Sequence, residues 1–409
     1  MSAQHLFKKK QDAEGNISHY QAVASVLAGN FGTGNISGTA VALTTGGPGA
    51  LVWMWLMAFF GSVIQYTSCF LAVKYRTKNA DGEFVGGPMY YLSEGLGLKK
   101  LAVFFSIFVI FAAFAVGNFA QINSMVLPLT DFGITPWVTG CVIAVLVAGV
   151  ILGGAKRIAQ VSSAVVPLMA LFYLCTAMLI LFLYKENIFP AFKLIFESAF
   201  KGTSATGGVL GYTLMKALTV GFDRAIFATD AGTGTVPILQ AEARTSHPVV
   251  DGVVALVAPL LVMIVCTTTG LVLMVTGAYQ IQGGNHALST NLVIQAFQTG
   301  IGPYLGSFVV IISLLLFGYT TTLAWGSCLQ RAVGYLLGRR GVRLFQYLYI
   351  LAIPVGALLQ VDLVWLLADF TLTAMVVINL IGVSALSGGV IQESRLFFAS
   401  KWSYTTSRK

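Results

Sequence analysis

Long apolar runs follow one another along almost the whole chain, separated by short polar connections. Each run approaches the roughly 20 residues that an α-helix needs to cross a bilayer. The pattern predicts an all-α integral membrane protein with about ten transmembrane helices. We place these spans at about 19–44, 48–73, 101–127, 135–153, 160–184, 207–240, 248–277, 303–330, 343–360 and 363–390.

The same glycine-threonine-glycine triplet interrupts two of these spans, as Gly32-Thr33-Gly34 in span one and Gly232-Thr233-Gly234 in span six. Glycine costs roughly 1 kcal/mol in a helix interior, so two glycines in three residues mark a place where the helix can unwind. Unwound backbone at membrane depth has to line a cavity or be buried in protein. We therefore expect helices one and six to be broken, a feature that points to the binding site of a secondary transporter.

Close helix packing is the alternative explanation of the triplets, because small residues let membrane helices approach each other. We favour a binding site because polar residues accompany both triplets, which packing glycines do not need. These companions are Asn30, Asn35 and Ser37 in span one, and Thr229, Asp230 and Thr235 in span six.

Ten spans divide into two sets of five. Because the number in each set is odd, the second half enters the membrane from the opposite side, which predicts a five-plus-five inverted repeat. The predicted division is a cytoplasmic tail at 1–18, a first repeat at 19–184, an extracellular connecting loop at 185–206, a second repeat at 207–390 and a cytoplasmic tail at 391–409.

Composition and charge placement agree with a membrane protein. The 409 residues are 56% hydrophobic and 10% charged, whereas a soluble domain carries about 25% charged residues. The net charge of +9 could indicate nucleic-acid binding, but most lysines and arginines fall in alternate loops and in the two tails. This positive-inside pattern predicts cytoplasmic termini and a lipid bilayer, not nucleic acid, as the partner.

The sequence shows no pattern typical of enzymes. Its five cysteines lie in apolar runs without metal-ligand spacing, and HExxH, P-loop and GxSxG motifs are absent. We therefore predict a protein that is not an enzyme and needs no cofactor.

A broken helix presents amide N–H groups and carbonyl oxygens that its own backbone does not pair. The amides of Gly32, Thr33 and Gly34 are candidates to hold a substrate carboxylate, and the carbonyls of residues 28–31 are candidates to hold Na⁺.

Span eight supplies a complement to the broken helix. The Phe317 carbonyl and the hydroxyls of Thr320 and Thr321 converge on one helix face, and Trp325 follows one turn later as a pocket wall. The alternative for the threonines is a hydrogen bond to the preceding turn of their own helix.

Asp230 is the strongest candidate among the charged residues inside predicted spans, where charges are costly. It lies two residues before the second triplet, where it can bind an amine or orient the unwound segment. In span three, Asn118 and Gln121 share a helix face that can line the cavity. Hydrogen bonding between helices is the alternative for these two amides.

These motifs, in this order, resemble the alanine or glycine:cation symporter family. The matching blocks are Gly32-Thr-Gly-Asn-Ile-Ser-Gly38, Gly86-Gly-Pro-Met-Tyr-Tyr91, Phe227-Ala-Thr-Asp-Ala-Gly-Thr-Gly234 and Phe317-Gly-Tyr-Thr-Thr-Thr-Leu-Ala-Trp325. The resemblance implies the LeuT-like inverted-repeat fold of the amino acid, polyamine and organocation superfamily. It also implies that Na⁺, or sometimes H⁺, drives uptake of a small neutral amino acid.

The resemblance also implies roles for individual residues. Substrate contacts are expected from Thr33, Gly34, Gln121, the segment from Phe227 through Ala231 to Gly232, Thr321 and Trp325. A Na⁺ site is expected from the carbonyls of Ala28, Phe31 and Phe317 and the hydroxyls of Thr320 and Thr321.

Two features depart from the family pattern. The family usually has Ser-Asn-Glu-Ala-Gly where this chain has Ala228-Thr-Asp-Ala-Gly232, which shortens the acid by one methylene. Many relatives also begin with an extra helix, so we expect the amino terminus of this chain to be truncated or divergent.

The sequence thus predicts a Na⁺-coupled symporter of a small neutral amino acid, of the alanine or glycine class, in a bacterial inner membrane. Alternating access is the expected mechanism. Two alternatives stay open, namely a proton-coupled symporter in which Asp230 titrates and an amino-acid sensor that keeps the fold without transport.

Overall fold

The computed structural model describes residues 14–200, 207–280 and 286–406. Parts of the predicted tails and of the predicted connecting loop, at 1–13, 201–206 and 407–409, therefore lie outside the described residues. The described chain folds almost entirely into helices, as its apolar runs predict.

The described part of the first half contains six helices of ten or more residues. They are α1 (His19–Asn30), α2 (Ser37–Gly46), α3 (Ala50–Lys74), α4 (Lys99–Thr130), α5 (Pro136–Ile151) and α6 (Gly154–Leu183). The connection between α3 and α4 carries the strands β1 (Thr77–Lys78) and β2 (Phe84–Val85), which pair antiparallel with Thr77 opposite Val85. A short helical segment, Pro88–Tyr90 followed by the π-helical Tyr91–Gly95, leads into α4.

Among the residues that the structure describes, the second half contains seven α-helices. They are α7 (Ile188–Phe200), α8 (Gly207–Thr229), α9 (Thr235–Gln240), α10 (Pro248–Val275), α11 (His286–Ile301), α12 (Pro303–Gly356) and α13 (Val361–Thr406). Helix α7 lies inside the predicted connecting loop, and α13 continues as a helix through most of the predicted carboxy-terminal tail. Short 3₁₀ turns are formed by Thr33–Asn35, Lys185–Asn187 and Ala278–Gln280.

Within the described residues, six helices are long and apolar enough to cross a membrane, namely α3, α4, α6, α10, α12 and α13. Helix α5 is apolar but shorter. Helix α12 is bent at Gly338, whose φ of 65° and ψ of −165° are not helical. Glycine tolerates this backbone conformation because it has no Cβ.

The predicted spans one and six each consist of two shorter helices separated by irregular backbone. Helix α1 ends at Asn30, Gly32 is extended, and α2 begins at Ser37. Helix α8 ends at Thr229, and α9 begins at Thr235. Both interruptions fall at the glycine-threonine-glycine triplets, as the sequence predicts.

The second interruption needs residues with left-handed backbone. Gly232 and Gly234 have φ values of 84° and 90°, where glycine meets no steric penalty. Asp230 has a φ of 50° and is the one non-glycine residue of the described chain with positive φ. Such a conformation costs energy, so the surrounding structure must hold it in place.

Helix α12 is the centre of the packing, because it contacts α1, α4, α5, α6 and α11. Its Phe317 ring stacks on Phe31 at the end of α1, with 6.0 Å between ring centroids. Trp325 is 1% exposed and lies against Gly117 of α4, where a Cβ would be only 2.2 Å from the Trp325 Cβ. Helices α4 and α12 therefore pack closely against each other beside the first interruption.

Candidate functional site

A small internal cavity lies between the two interruptions, with an empty volume of about 210 Å³. Predicted substrate residues from both interruptions, α4 and α12 meet around it, namely Gly32, Gly34, Gln121, Phe227, Asp230, Thr321 and Trp325. Five further residues complete the lining, namely Gly29 and Asn30 of the predicted carbonyl segment 28–31, Ala228 of the predicted segment 227–232, and Asn35 and Val116.

Four predicted substrate residues lie outside this lining, namely Thr33, Asn118, Ala231 and Gly232. The Asn118 side-chain amide donates to the Tyr349 carbonyl oxygen at 2.8 Å. The Gly232 carbonyl accepts from the Asn379 side chain at 2.8 Å, and Ala231 packs against Gly61 of α3. These residues hold neighbouring helices together at the level of the cavity.

Gln121 fixes the backbone of the first interruption. Its Oε1 accepts from both the amide and the hydroxyl of Thr33, each at 3.0 Å. Its Nε2 donates to the Val116 carbonyl at 3.1 Å, within the π-helical stretch Ala113–Ala120 of α4. Thr33, itself a predicted substrate residue, is thus joined to the cavity through Gln121.

Two asparagines border the same interruption and behave differently. The Asn35 side-chain amide donates to the carbonyls of Asn30 and Gly32 at 2.7 and 3.3 Å, and Cys266 donates to its Oδ1 at 3.2 Å. The Asn30 side chain is buried in the cavity wall, yet neither its nitrogen nor its oxygen has a hydrogen-bond partner among the described residues. Such groups are rare in proteins, so Asn30 is a candidate ligand contact. The sequence signal that could have identified Asn30 as a ligand contact was its position directly before the break.

Asp230 is a buried carboxylate at the second interruption, with 3% of its surface exposed. Its backbone carbonyl accepts from the amide and hydroxyl of Thr233 at 3.2 and 2.8 Å, and its side chain hydrogen-bonds with Thr235. In the described part of the chain, no lysine or arginine forms an ion pair with it. A buried acid without a cationic partner can take an amine or a proton.

The residues expected to hold the cation lie where α1 meets α12. The Thr321 hydroxyl donates to the Ala28 carbonyl at 2.7 Å, with Gly29 oxygen at 3.4 Å. The Thr320 hydroxyl instead contacts the carbonyls of Leu316 and Phe317 in its own helix, at 3.0 and 3.1 Å. The structure thus brings the Ala28 carbonyl and the Thr321 hydroxyl together, while Thr320 follows the alternative of bonding within its helix. The resulting set of oxygens is the type of donor that suits Na⁺.

One side of the cavity is covered by aromatic rings and a charge cluster. The Phe227 and Trp365 rings lie 4.7 Å apart, and the buried Arg224 guanidinium lies 4.9 Å from the Trp365 centroid. Arg224 also pairs with Asp223 and, at 3.1 Å, with Asp369 of α13. These contacts join α8 to α13 on this side.

A second ion network lies beyond the other side of the cavity. Arg331 of α12 bonds Glu242 at 2.7 Å and Glu83 at 2.8 Å. Burial acts to raise the pKa of Glu83, but the hydrogen bond and charge of Arg331 outweigh it and lower that pKa below its ordinary value. The network therefore holds an ionised carboxylate and joins α12 to the β-hairpin and to the end of α9.

An all-helical fold with two interrupted helices around a buried polar cavity is the architecture of a secondary transporter. The comparisons with known proteins identify the class more closely. The profile of the sodium:alanine symporter family matches residues 1–408. The chain therefore belongs to this family of transporters, as its motifs predict.

The sodium/alanine symporter AgcS of Methanococcus maripaludis is 41% identical over 399 residues, which cover 96% of this chain and 87% of that protein. A transporter of Haemophilus influenzae is 41% identical over 397 residues, which cover 96% and 86%. The structure of MhsT in complex with L-phenylalanine matches with a TM-score of 0.66 at 12% identity, covering 90% of this chain and 89% of that one. The last likeness shows a shared LeuT-like fold. Family membership and the six long apolar helices together make this a multi-pass membrane protein.

The bond between Gln121 and Thr33 predicts an energetic coupling. Gln121→Met leaves the buried Thr33 amide and hydroxyl unpaired and is expected to cost about 1–3 kcal/mol. Thr33→Val alone removes the hydroxyl, and the double variant should lose less than the two single changes added together. Unfolding free energies of the four proteins in detergent give the coupling, expected at about 0.5 kcal/mol or more. Strict additivity would contradict the contact.

Proposed function

We propose that this protein is a symporter that couples Na⁺ to the uptake of a small neutral amino acid of the alanine or glycine class. The observation that supports this proposal most strongly is the contact between the Thr321 hydroxyl and the Ala28 carbonyl. This contact lies beside the cavity and brings together oxygen atoms from α1 and α12. Na⁺ is the co-transported ion, and the proposal includes no other cofactor. Such a protein transports its substrate across the membrane by alternating access.

The proposed architecture has ten spans in two inverted repeats, at 19–184 and 207–390. The α1–α2 and α8–α9 pairs then form spans one and six, and the two parts of α12 around Gly338 form spans eight and nine. The six long apolar helices and the two interruptions support this arrangement. The distribution of lysine and arginine supports cytoplasmic termini in a bacterial inner membrane.

The proposed substrate position follows from the polarity of the cavity. Gly32 and Gly34 line the cavity, where their backbone amide groups can hold the carboxylate. Asp230 and the unpaired amide of Asn30 lie at the α1–α8 side, where they can accept and orient the amine. Phe227 and Trp325 form aromatic walls of the cavity and favour a small side chain.

Substrate size is also limited by Phe227. A Cβ on Gly34 would lie only 2.6 Å from the Phe227 ring, so ring and backbone already touch. Enlarging the cavity therefore requires the ring to move. This arrangement supports alanine or glycine ahead of a long amino acid.

The proposed cation position uses the carbonyls of Ala28, Phe31 and Phe317 and the hydroxyls of Thr320 and Thr321. When Na⁺ binds, the Thr321 hydroxyl turns its oxygen lone pair towards the ion instead of donating to Ala28. Four residues later in the chain, the Gly32 backbone reaches the substrate cavity. One short segment therefore serves both ligands, so each bound species stabilises the backbone conformation that the other needs. Their coupling is reciprocal by thermodynamic necessity.

Two ion networks suit the alternation of access. The Arg224–Asp369 pair closes the α8–α13 side, and the Arg331–Glu242 pair closes the opposite side. In an alternating-access cycle one network opens while the other stays formed. Both networks are formed in this structure.

Uptake of radiolabelled alanine into proteoliposomes, with an inward Na⁺ gradient and a choline control, tests the proposal. Thr321→Val removes the hydroxyl and should raise the Na⁺ concentration for half-maximal uptake about tenfold or more. Thr322→Val is the matched control, because the Thr322 hydroxyl bonds Gly318 in its own helix. Uptake independent of Na⁺, or equal effects of the two variants, would overturn the assignment. Retained alanine binding without any uptake would indicate the sensor.

Proton coupling is the second candidate, and it is favoured by the buried Asp230, which forms no ion pair with any described residue. If protons drive transport, Asp230→Asn should abolish uptake driven by a pH gradient in the absence of Na⁺. The Na⁺ proposal predicts instead that a pH gradient alone drives no uptake by the parent protein. Parallel uptake assays with each gradient applied separately distinguish the two ions.

A further inference from the structure

A second, larger cavity lies away from the substrate site, with an empty volume of about 1130 Å³. It is bounded by the β-hairpin connection, the turn between α5 and α6, and α12 on both sides of the Gly338 bend. Arg339 and Arg343 also line a neighbouring cleft together with Arg340, Leu344 and Tyr347. The two spaces share Arg339 and Arg343, and we call them together the arginine groove.

The groove carries more positive than negative charge. Arg331, Arg339, Arg340 and Arg343 line it, whereas Asp81 and Glu83 are its acids. Arg331 pairs with Glu83, and Arg339 pairs with Asp81 at 3.1 Å. In the described ranges, Arg340 and Arg343 form no ion pair. Two guanidinium groups thus remain available to an anion.

Two residues that line the same space carry buried donors without partners among the described residues. Arg331 is 9% exposed, and its Nη2 has no hydrogen-bond partner among the described residues. The same holds for the Nε2 of the neighbouring Gln330, which also lines the cavity. A buried guanidinium nitrogen without an acceptor is costly, so an anionic oxygen there satisfies it.

The amino terminus of α6 adds a further group of donors. Gly154 and Ala155 line the cavity in the first turn of this 30-residue helix. Its N-cap, Gly153, provides no side-chain cap. Uncapped first-turn amides and the helix dipole attract an anion.

The groove continues onto an apolar surface. Leu344, Leu348 and Leu351 follow along α12 at helical spacing, and they are 57%, 43% and 70% exposed. A soluble anion gains nothing from these side chains, whereas the acyl chains of a lipid do. The groove thus combines polar donors in its interior with exposed leucines on the adjoining surface of α12. This combination suits an amphiphile with an anionic head group.

We propose that the arginine groove binds the phosphate group of an anionic phospholipid of the leaflet predicted as cytoplasmic. The phosphate oxygens accept from Arg331, Arg340 and Arg343 and from the first amides of α6. The acyl chains lie along Leu344, Leu348 and Leu351. The bound lipid joins both parts of the bent α12 to the start of α6.

Thermal unfolding of the purified full chain in detergent tests the proposal, with phosphatidylglycerol, phosphatidylcholine of the same acyl chains, or glycerol 3-phosphate added. Phosphatidylglycerol should raise the Tm, and the other two additives should not. The Arg340→Gln, Arg343→Gln double variant should bind phosphatidylglycerol about tenfold more weakly or worse. Lys99→Gln, Lys100→Gln removes two exposed charges elsewhere and should behave like the parent.

Native mass spectrometry of the same proteins counts bound phosphatidylglycerol directly, so it reports binding even where Tm values shift in the apo variants. Three results would overturn the proposal: no preference for phosphatidylglycerol, equal loss in the lysine variant, or unchanged binding in the arginine variant. Equal stabilisation by glycerol 3-phosphate would keep the anion site but refute the lipid as its occupant.

Discussion

The structure depends on one constraint, which is that backbone groups left unpaired inside a membrane protein must find partners within the protein or its ligands. Two helices break at their glycine-threonine-glycine triplets, and each break frees amides and carbonyls. Side chains from other helices form hydrogen bonds with several of these backbone groups. The pairs are Gln121 with Thr33, Thr321 with Ala28, Gln65 with Thr229 and Asn379 with Gly232. The helices that supply these side chains are thereby fixed around one cavity.

Sharing of a single backbone segment explains how two ligands can be coupled. The carbonyl of Ala28 faces α12, and the backbone of Gly32 faces the cavity, with one helical turn between them. In the proposed symport, a cation that orders the first group orders the second as well, without a long-range rearrangement. The proposed substrate stabilises the cation site by the same amount, because coupling between two sites is symmetric in free energy.

The sequence predicted the features that follow from local chemistry. Glycine pairs located both breaks, and the cost of buried charge singled out Asp230. It left Asn118 open between lining the cavity and hydrogen bonding between helices, and the structure has the second, a bond to the Tyr349 carbonyl from within the π-helical stretch Ala113–Ala120. A wider helical turn shifts the faces of a helix, so the rule that residues three apart share a face fails there. The arginine groove was also hidden, since it forms only where α12 bends at Gly338 and meets the start of α6.

The most direct test of the central claim is a pair of binding titrations on the purified protein by calorimetry. Alanine affinity is measured with saturating Na⁺ and in choline, and Na⁺ affinity is measured with and without alanine. The account predicts that each ligand tightens binding of the other by the same factor, about fivefold or more. Alanine affinity that is identical in Na⁺ and choline would contradict it.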